Sequence, residues 1–139
     1  MKRAHGSSTT VDVSLQDAAG AERRVVAALG HGIDGIMALG PTGASPALDA
    51  LRSKDLIGKV KLATFDLSPD VISAVRGGQI EFAVDQQPFL QGYLPIVFLT
   101  QYQRYGLLPD RGKIVDTGPS FVTRRTAAAV QRLADQQIR

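Results

Sequence analysis

Residues 61–95 read KLATFDLSPDVISAVRGGQIEFAVDQQPFLQGYLP, and this stretch decides the fold. An apolar run of strand length occupies residues 60–65, and residues 80–84 alternate apolar and polar side chains as a strand does. Each run gives way to polar residues and then to a proline, Pro69 or Pro88, of the kind that begins a helix. The pattern therefore predicts two strands, each followed by a helix.

Polar side chains stand where each of these strands ends. Asp66 follows the first strand, and Asp85 and Gln86 follow the second. If the strands are parallel, their carboxyl ends meet at one edge of the sheet, which is where open α/β folds bind ligands. A carboxylate accepts two hydrogen bonds and an amide both donates and accepts, so these groups suit the hydroxyls of a sugar or polyol. The same residue types also fit turn or helix-capping roles.

The rest of the chain repeats the alternation of strand and helix. Apolar spacing predicts, in order, a strand at 11–14, a helix at 16–29, a strand at 33–39, a helix at 44–51, strands at 113–115 and 120–122, and a helix at 127–134. This order predicts a mostly parallel sheet with helices on both faces. We expect one α/β domain over residues 10–139, preceded by a loose segment at residues 1–9 that shows no periodicity.

Composition narrows the kinds of site that this chain can carry. The 139 residues include no cysteine, which excludes disulfides and thiolate metal sites. The net charge is +3 and the basic residues are scattered, so no nucleic-acid partner is expected. No nucleophile elbow, zinc-binding helix or phosphate-binding loop occurs, which predicts neither an enzyme nor a cofactor. The basic start at residues 1–8 has no apolar region behind it, so no signal peptide is predicted.

Two segments carry a family resemblance: TFDLSPD at 64–70 and DQQPFLQGYLP at 85–95. It extends to IDGIMALGPTGASPALDALRSKDLIGKVKLATFD at 33–66 and to DTGPSFVT at 116–123. The chain resembles the C-terminal lobe of periplasmic sugar-binding proteins, the ribose-binding-like solute receptors of ABC transporters. The resemblance covers nearly all residues from about Thr10 onward, and it implies a single Rossmann-like lobe of a receptor that has two.

The resemblance also implies which residues meet the sugar. Asp66 stands where those receptors place an aspartate that contacts the ligand, and Gln86 stands where they place an amide or a comparable polar residue. Asp85 is the next candidate. Phe89, close to Gln86 in the chain, is a candidate wall of the pocket, although ordinary core packing explains it as well.

The turn before the second helix departs from the family pattern. Many relatives carry an Asn-Asp pair where this chain has Gly40 and Pro41. Pro41 and Thr42 remain candidate ligand residues, because the start of a helix presents backbone amides and Thr42 presents a hydroxyl. The departure leaves the identity of the sugar open.

The resemblance implies several partners. These are a sugar or polyol, the missing N-terminal lobe and the membrane permease of an ABC transporter, all in the periplasm. Such receptors begin this lobe with a further strand and helix, which we do not find before Val11. An uncovered sheet edge or apolar surface would then favour a homodimer. The alternatives are the effector-binding domain of a LacI-like transcription regulator and a small α/β enzyme, which the absence of catalytic motifs disfavours.

Overall fold

A computed structural model describes residues 10–11, 17–109, 113–136 and 138 of the chain. Helices and strands alternate along these ranges, as the sequence predicts. The elements are α1 (Ala18–Leu29), β1 (Gly35–Ala38), α2 (Pro41–Ser53), β2 (Lys61–Phe65), α3 (Pro69–Arg76), β3 (Phe82–Asp85), α4 (Pro88–Tyr105), β4 (Ser120–Thr123) and α5 (Ala127–Asp135).

The four strands form one sheet in the order β1-β2-β3-β4. The first three strands are parallel, with Ala38 opposite Thr64 and Thr64 opposite Ala83. The fourth strand is antiparallel to β3, and Val122 lies opposite Ala83. The sheet is therefore mostly parallel, and the predicted fold class is confirmed.

The core lies on one face of this sheet. Directly opposed residues share a face of a sheet, and the row Ala38, Thr64, Ala83 and Val122 is buried across all four strands. Helices α2 and α3 pack on the strands, α1 packs on α2, and α5 packs on α3. The largest fully buried apolar side chains are Leu51, Leu62, Ile72, Val75, Ile80 and Val122.

Local sequence signals set the helix that follows β2. Ser68 caps α3, because its side chain accepts a hydrogen bond from the backbone N–H of Val71 at 3.2 Å. Pro69 occupies the first helical position, where its missing N–H has no intrahelical role. The start of α3 is thus placed directly beyond the carboxyl end of β2.

The longest helix, α4, stands apart from this core. None of its eighteen residues is buried, and it makes no extensive contact with another described helix or strand. The topology explains this. Because β4 is antiparallel to β3, with Asp85 opposite Ser120, the connection leaves and returns to the same edge of the sheet. The chain therefore never has to cross the sheet between the two strands, and α4 is not drawn onto it.

The second face of the sheet differs from the expectation of helices on both faces. Met37, Ala63 and Phe82 are direct partners and share this face, and Phe121 contacts Phe82 edge-to-face with ring centroids 5.4 Å apart. Met37 is 50% exposed and Phe121 is 60% exposed. Within the described ranges, the face opposite the core thus keeps large apolar side chains in water.

Two strand predictions also change. Residues 113–115 form no strand, and Ile114 is 88% exposed. The edge of β3 that this segment could have joined is occupied by β4. Of the strand predicted at 11–14, Val11 is irregular and residues 12–14 lie outside the described ranges, as does the segment at residues 1–9.

A pair of isoleucine substitutions tests the separation between core and α4. Ile72 in α3 is fully buried, whereas Ile96 in α4 is 68% exposed. We expect Ile72→Ala to lower the free energy of unfolding by about 2–5 kcal/mol, because it leaves a cavity in the core. The matched Ile96→Ala should change it by less than about 0.5 kcal/mol. Urea unfolding followed by circular dichroism at low protein concentration measures both, and equal losses would show that α4 is packed in the native state.

Candidate functional site

The ends of β2 and β3 bring Asp66 and Gln86 together. Asp66 follows β2 directly, and its backbone N–H donates to the carbonyl oxygen of Val84 at 2.9 Å, which extends the ladder between the strands. Gln86 follows β3, and its Nε2 donates to Oδ1 of Asp66 at 2.7 Å. The structure therefore places these two predicted side chains side by side at the carboxyl edge of parallel strands.

Both turns at this edge contain a residue in the left-handed region. Asp66 has φ of 60°, and Gln87 has φ of 54° and ψ of 58°. A non-glycine residue in this region costs about 1–3 kcal/mol and persists only where its surroundings hold it there. Aspartate tolerates this region better than most residues, and glutamine has no such preference. The turn at Gln87 must therefore be held by its neighbours.

Two side chains hold that turn. Asp85 is the last residue of β3 and is only 1% exposed, and its Oδ1 accepts a hydrogen bond from the backbone N–H of Gln87 at 2.8 Å. Gln91, one turn into α4, donates from Nε2 to the carbonyl oxygen of Gln86 at 2.8 Å. Both bonds go to the peptide unit that joins Gln86 to Gln87, so together they fix the backbone directly after Gln86.

A cavity of about 410 Å³ lies beside Asp66. Its described lining is Asp66, Leu67, Ser68, Pro69, Asp85, Pro88, Ala134 and Asp135. This lining includes three carboxylates and one hydroxyl, and no basic side chain. Such a lining accepts hydrogen bonds readily and repels anions. It suits an uncharged ligand with several hydroxyl groups.

The remaining predicted residues lie around this centre. Pro41 and Thr42 open α2 beyond the carboxyl end of β1, so they stand at the same edge of the sheet, and neither lines the cavity. Phe89 is in the first turn of α4, is 47% exposed, and stacks on Tyr93 with ring centroids 5.7 Å apart. It does not line the cavity either. Of the predicted residues, only Asp66 and Asp85 line the cavity, and Gln86 joins this centre through its hydrogen bond to Asp66, whereas Pro41, Thr42 and Phe89 stay at the periphery.

Sequence reasoning missed part of this lining. Ser68 carries a local signal, since a serine before Pro69 at a helix start is typical of a helix cap, but that signal does not indicate a ligand site. Ala134 and Asp135 carried none, because they reach the cavity only through the packing of α5 on α3. Such a contact between distant segments has no local sequence pattern.

Two further observations concern metal ligands and membrane-spanning helices. Among the described residues, no group of three or more His, Asp or Glu side chains is arranged to hold a metal ion. In the same part of the chain, no helix has both the length and the apolar character required to cross a bilayer.

Comparisons with known proteins match most of the chain to one family. The model of a family described as a periplasmic binding protein domain matches residues 2–106, which include α1 to α4 and the three parallel strands. The solved carbohydrate transporter from Acidothermus cellulolyticus 11B, in complex with myo-inositol, is 34% identical, with a TM-score of 0.77 over 88% of this chain and 43% of that chain.

Two other relatives agree with this assignment. The xylose/arabinose-binding protein XylF of Sulfolobus acidocaldarius is 35% identical over 69 residues, which are 48% of this chain and 16% of that protein. The myo-inositol binding protein of Caulobacter is 22% identical, with a TM-score of 0.69 over 88% of this chain and 41% of that one, and at this identity it shows the fold alone. The chain spans less than half the length of these relatives. On the family match and the fold together, this chain belongs to the periplasmic binding protein domain family.

Proposed function

We propose that this chain recognises a sugar or polyol, without catalysis, as part of the solute-binding component of an ABC transporter. The observation that carries the proposal is the pairing of Asp66 with Gln86 at the carboxyl ends of adjacent parallel strands. Family membership supports it, as does the 34% identical relative that was solved with myo-inositol. Within the described residues, no feature favours the LacI-like regulator or the small enzyme.

The proposed roles follow from hydrogen-bond chemistry. Asp66 accepts hydrogen bonds from two neighbouring hydroxyl groups, and the Gln86 amide donates to one oxygen and accepts from another hydroxyl. In the free protein each group partly satisfies the other, at 2.7 Å, and the ligand replaces that contact. Thr42, the helix start at Pro41, and Phe89 then form the outer contacts. The carboxylate-rich lining disfavours phosphorylated and acidic sugars.

The second wall of the ligand site comes from another lobe. We propose that residues 10–139 form one lobe of a two-lobed receptor and that the other lobe packs on α4. The support is that α4 begins at the edge that carries Asp66 and Gln86 and exposes large apolar side chains along its length. A lobe that covers the first turns of α4 therefore also faces the ligand. Residues of α4 that are at least 47% exposed include Phe89, Tyr93, Ile96, Leu99, Tyr102 and Tyr105.

The remaining partners follow from family membership. Receptors of this kind deliver their ligand to a membrane permease in the periplasm, and we propose the same setting for the protein to which this lobe belongs. Pairing of this lobe with a permease requires the closed, two-lobed form, because closure is what distinguishes the loaded receptor.

The chain alone should bind sugar weakly. With one wall of the site, we expect a dissociation constant above about 1 mM for myo-inositol, L-arabinose or D-xylose, since much of the contact and burial is missing. Calorimetric titration measures this, and micromolar affinity for the isolated monomer would refute the requirement for a second lobe.

Chemical-shift titration at high sugar concentration locates the weak site. We expect shifts at residues 66 and 86 in the original chain and their loss in Asp66→Asn, which keeps a residue type tolerant of positive φ. The matched control is Glu81→Gln, which removes an exposed carboxylate that pairs with Lys61 at 2.7 Å, away from the cavity. If Asp66→Asn shifts as the original chain does, Asp66 is not a ligand residue.

The isolated chain should also self-associate. Met37 and Phe121 on the open sheet face and the apolar residues of α4 leave more apolar surface in water than a monomer usually tolerates. We expect light scattering to show a homodimer at high concentration and Ile96→Lys to weaken it. Ala128→Lys, at an exposed position of α5, is the matched control. A clean monomer at about 100 μM would contradict this expectation.

A further inference from the structure

The turn that presents Gln86 is built from side-chain contacts rather than from glycine. Gln87 takes the left-handed conformation, with φ of 54°, and it is also the residue that precedes α4. Glutamine gains nothing from this conformation by itself. The geometry of the turn therefore depends on the groups that bind its backbone.

One of these groups is the side chain of Asp85. Its carboxylate Oδ1 accepts from the N–H of Gln87, two residues on, at 2.8 Å. This is the arrangement by which an aspartate folds its own backbone into a turn. Burial of Asp85 to 1% exposure keeps water from competing for this bond.

Gln91 and Gly118 are also part of this arrangement. Nε2 of Gln91 donates to the carbonyl oxygen of Gln86 at 2.8 Å and ties the turn to α4. Gly118 backs the turn closely, since a Cβ built there would lie 3.3 Å from Nε2 of Gln87 and 3.4 Å from the carbonyl oxygen of Asp85. Its φ of 146° also disfavours a side chain.

We infer that Asp85 is a positioning residue of the ligand site, with Gln91 as its second support. Asp85 sets the backbone of Gln87, and the turn then directs the amide of Gln86 to within 2.7 Å of Asp66. This role needs an acceptor oxygen at Oδ1, and it needs neither the negative charge nor contact with the ligand. The inference rests on the proposed function for its biological meaning, and its geometry is testable without a ligand.

The test compares two substitutions of similar shape at residue 85. Asp85→Asn keeps an acceptor oxygen and removes the charge, whereas Asp85→Leu keeps the shape and removes the acceptor. The readout is the pair of side-chain amide signals of Gln86 in the proton–nitrogen correlation spectrum, identified by their loss in Gln86→Glu. We expect these signals to keep their hydrogen-bonded shifts in Asp85→Asn and to move to the position of a free glutamine amide in Asp85→Leu.

Sugar titration adds a second readout. With myo-inositol as the probe, we expect Asp85→Leu to bind about tenfold or more weakly than Asp85→Asn. Unchanged Gln86 signals in a folded Asp85→Leu would overturn the inference. Equal damage from both substitutions would also overturn it, because the charge itself would then be required.

Two controls keep the test decisive. If Asp85→Leu does not fold, Gln91→Leu removes the second support from an exposed position, and the inference requires the Gln86 signals to shift there as well. If no sugar perturbs the original chain while the Gln86 signals respond as expected, the proposed function fails and the positioning role of Asp85 stands.

Discussion

The parallel pairing of β2 with β3 is the constraint on which the site depends. Its register sets Phe65 opposite Val84, so Asp66 and Gln86 emerge at the same edge of the sheet. The bond from Asp66 N–H to the Val84 carbonyl oxygen carries the ladder one residue past β2. A slip of one residue would turn each side chain to the other face of the sheet. The buried row through Thr64 and Ala83 opposes such a slip, because it would expose the core.

The antiparallel fourth strand explains why the helix between β3 and β4 is exposed. It pairs along the free side of β3, and it begins next to the residue at which β3 ends. The long connection between the two strands therefore leaves the sheet and rejoins it at the same end. The result is a helix of eighteen residues with no buried side chain. A helix that is apolar on most of its surface normally lies inside a protein. Here it is exposed and begins next to Gln86, and this exposure supports the proposed packing of a second lobe on it.

Strain is concentrated at this same edge. Asp66 and Gln87 both have positive φ. Asp66 takes part in the Asp66–Gln86 contact, and Gln87 directly follows Gln86. Such conformations persist where neighbouring contacts impose them, and they gather at binding sites. The buried carboxylate of Asp85 and the amide of Gln91 supply those contacts. In the proposed site, the groups that hold the backbone therefore matter as much as the groups assigned to the ligand.

The sequence alone determined the alternation of strands and helices, the helix starts at Pro69 and Pro88, and the polar residues beyond β2 and β3, because local spacing and proline geometry act over a few residues. It also indicated the family, through the segments at residues 64–70 and 85–95. Only the tertiary structure decided that β4 is antiparallel, that α4 stands free, and that Asp135 reaches the cavity. It likewise decided that Asp85 is buried behind the turn. These features depend on which segments meet in space, and contacts between segments far apart in the chain have no local periodicity to reveal them.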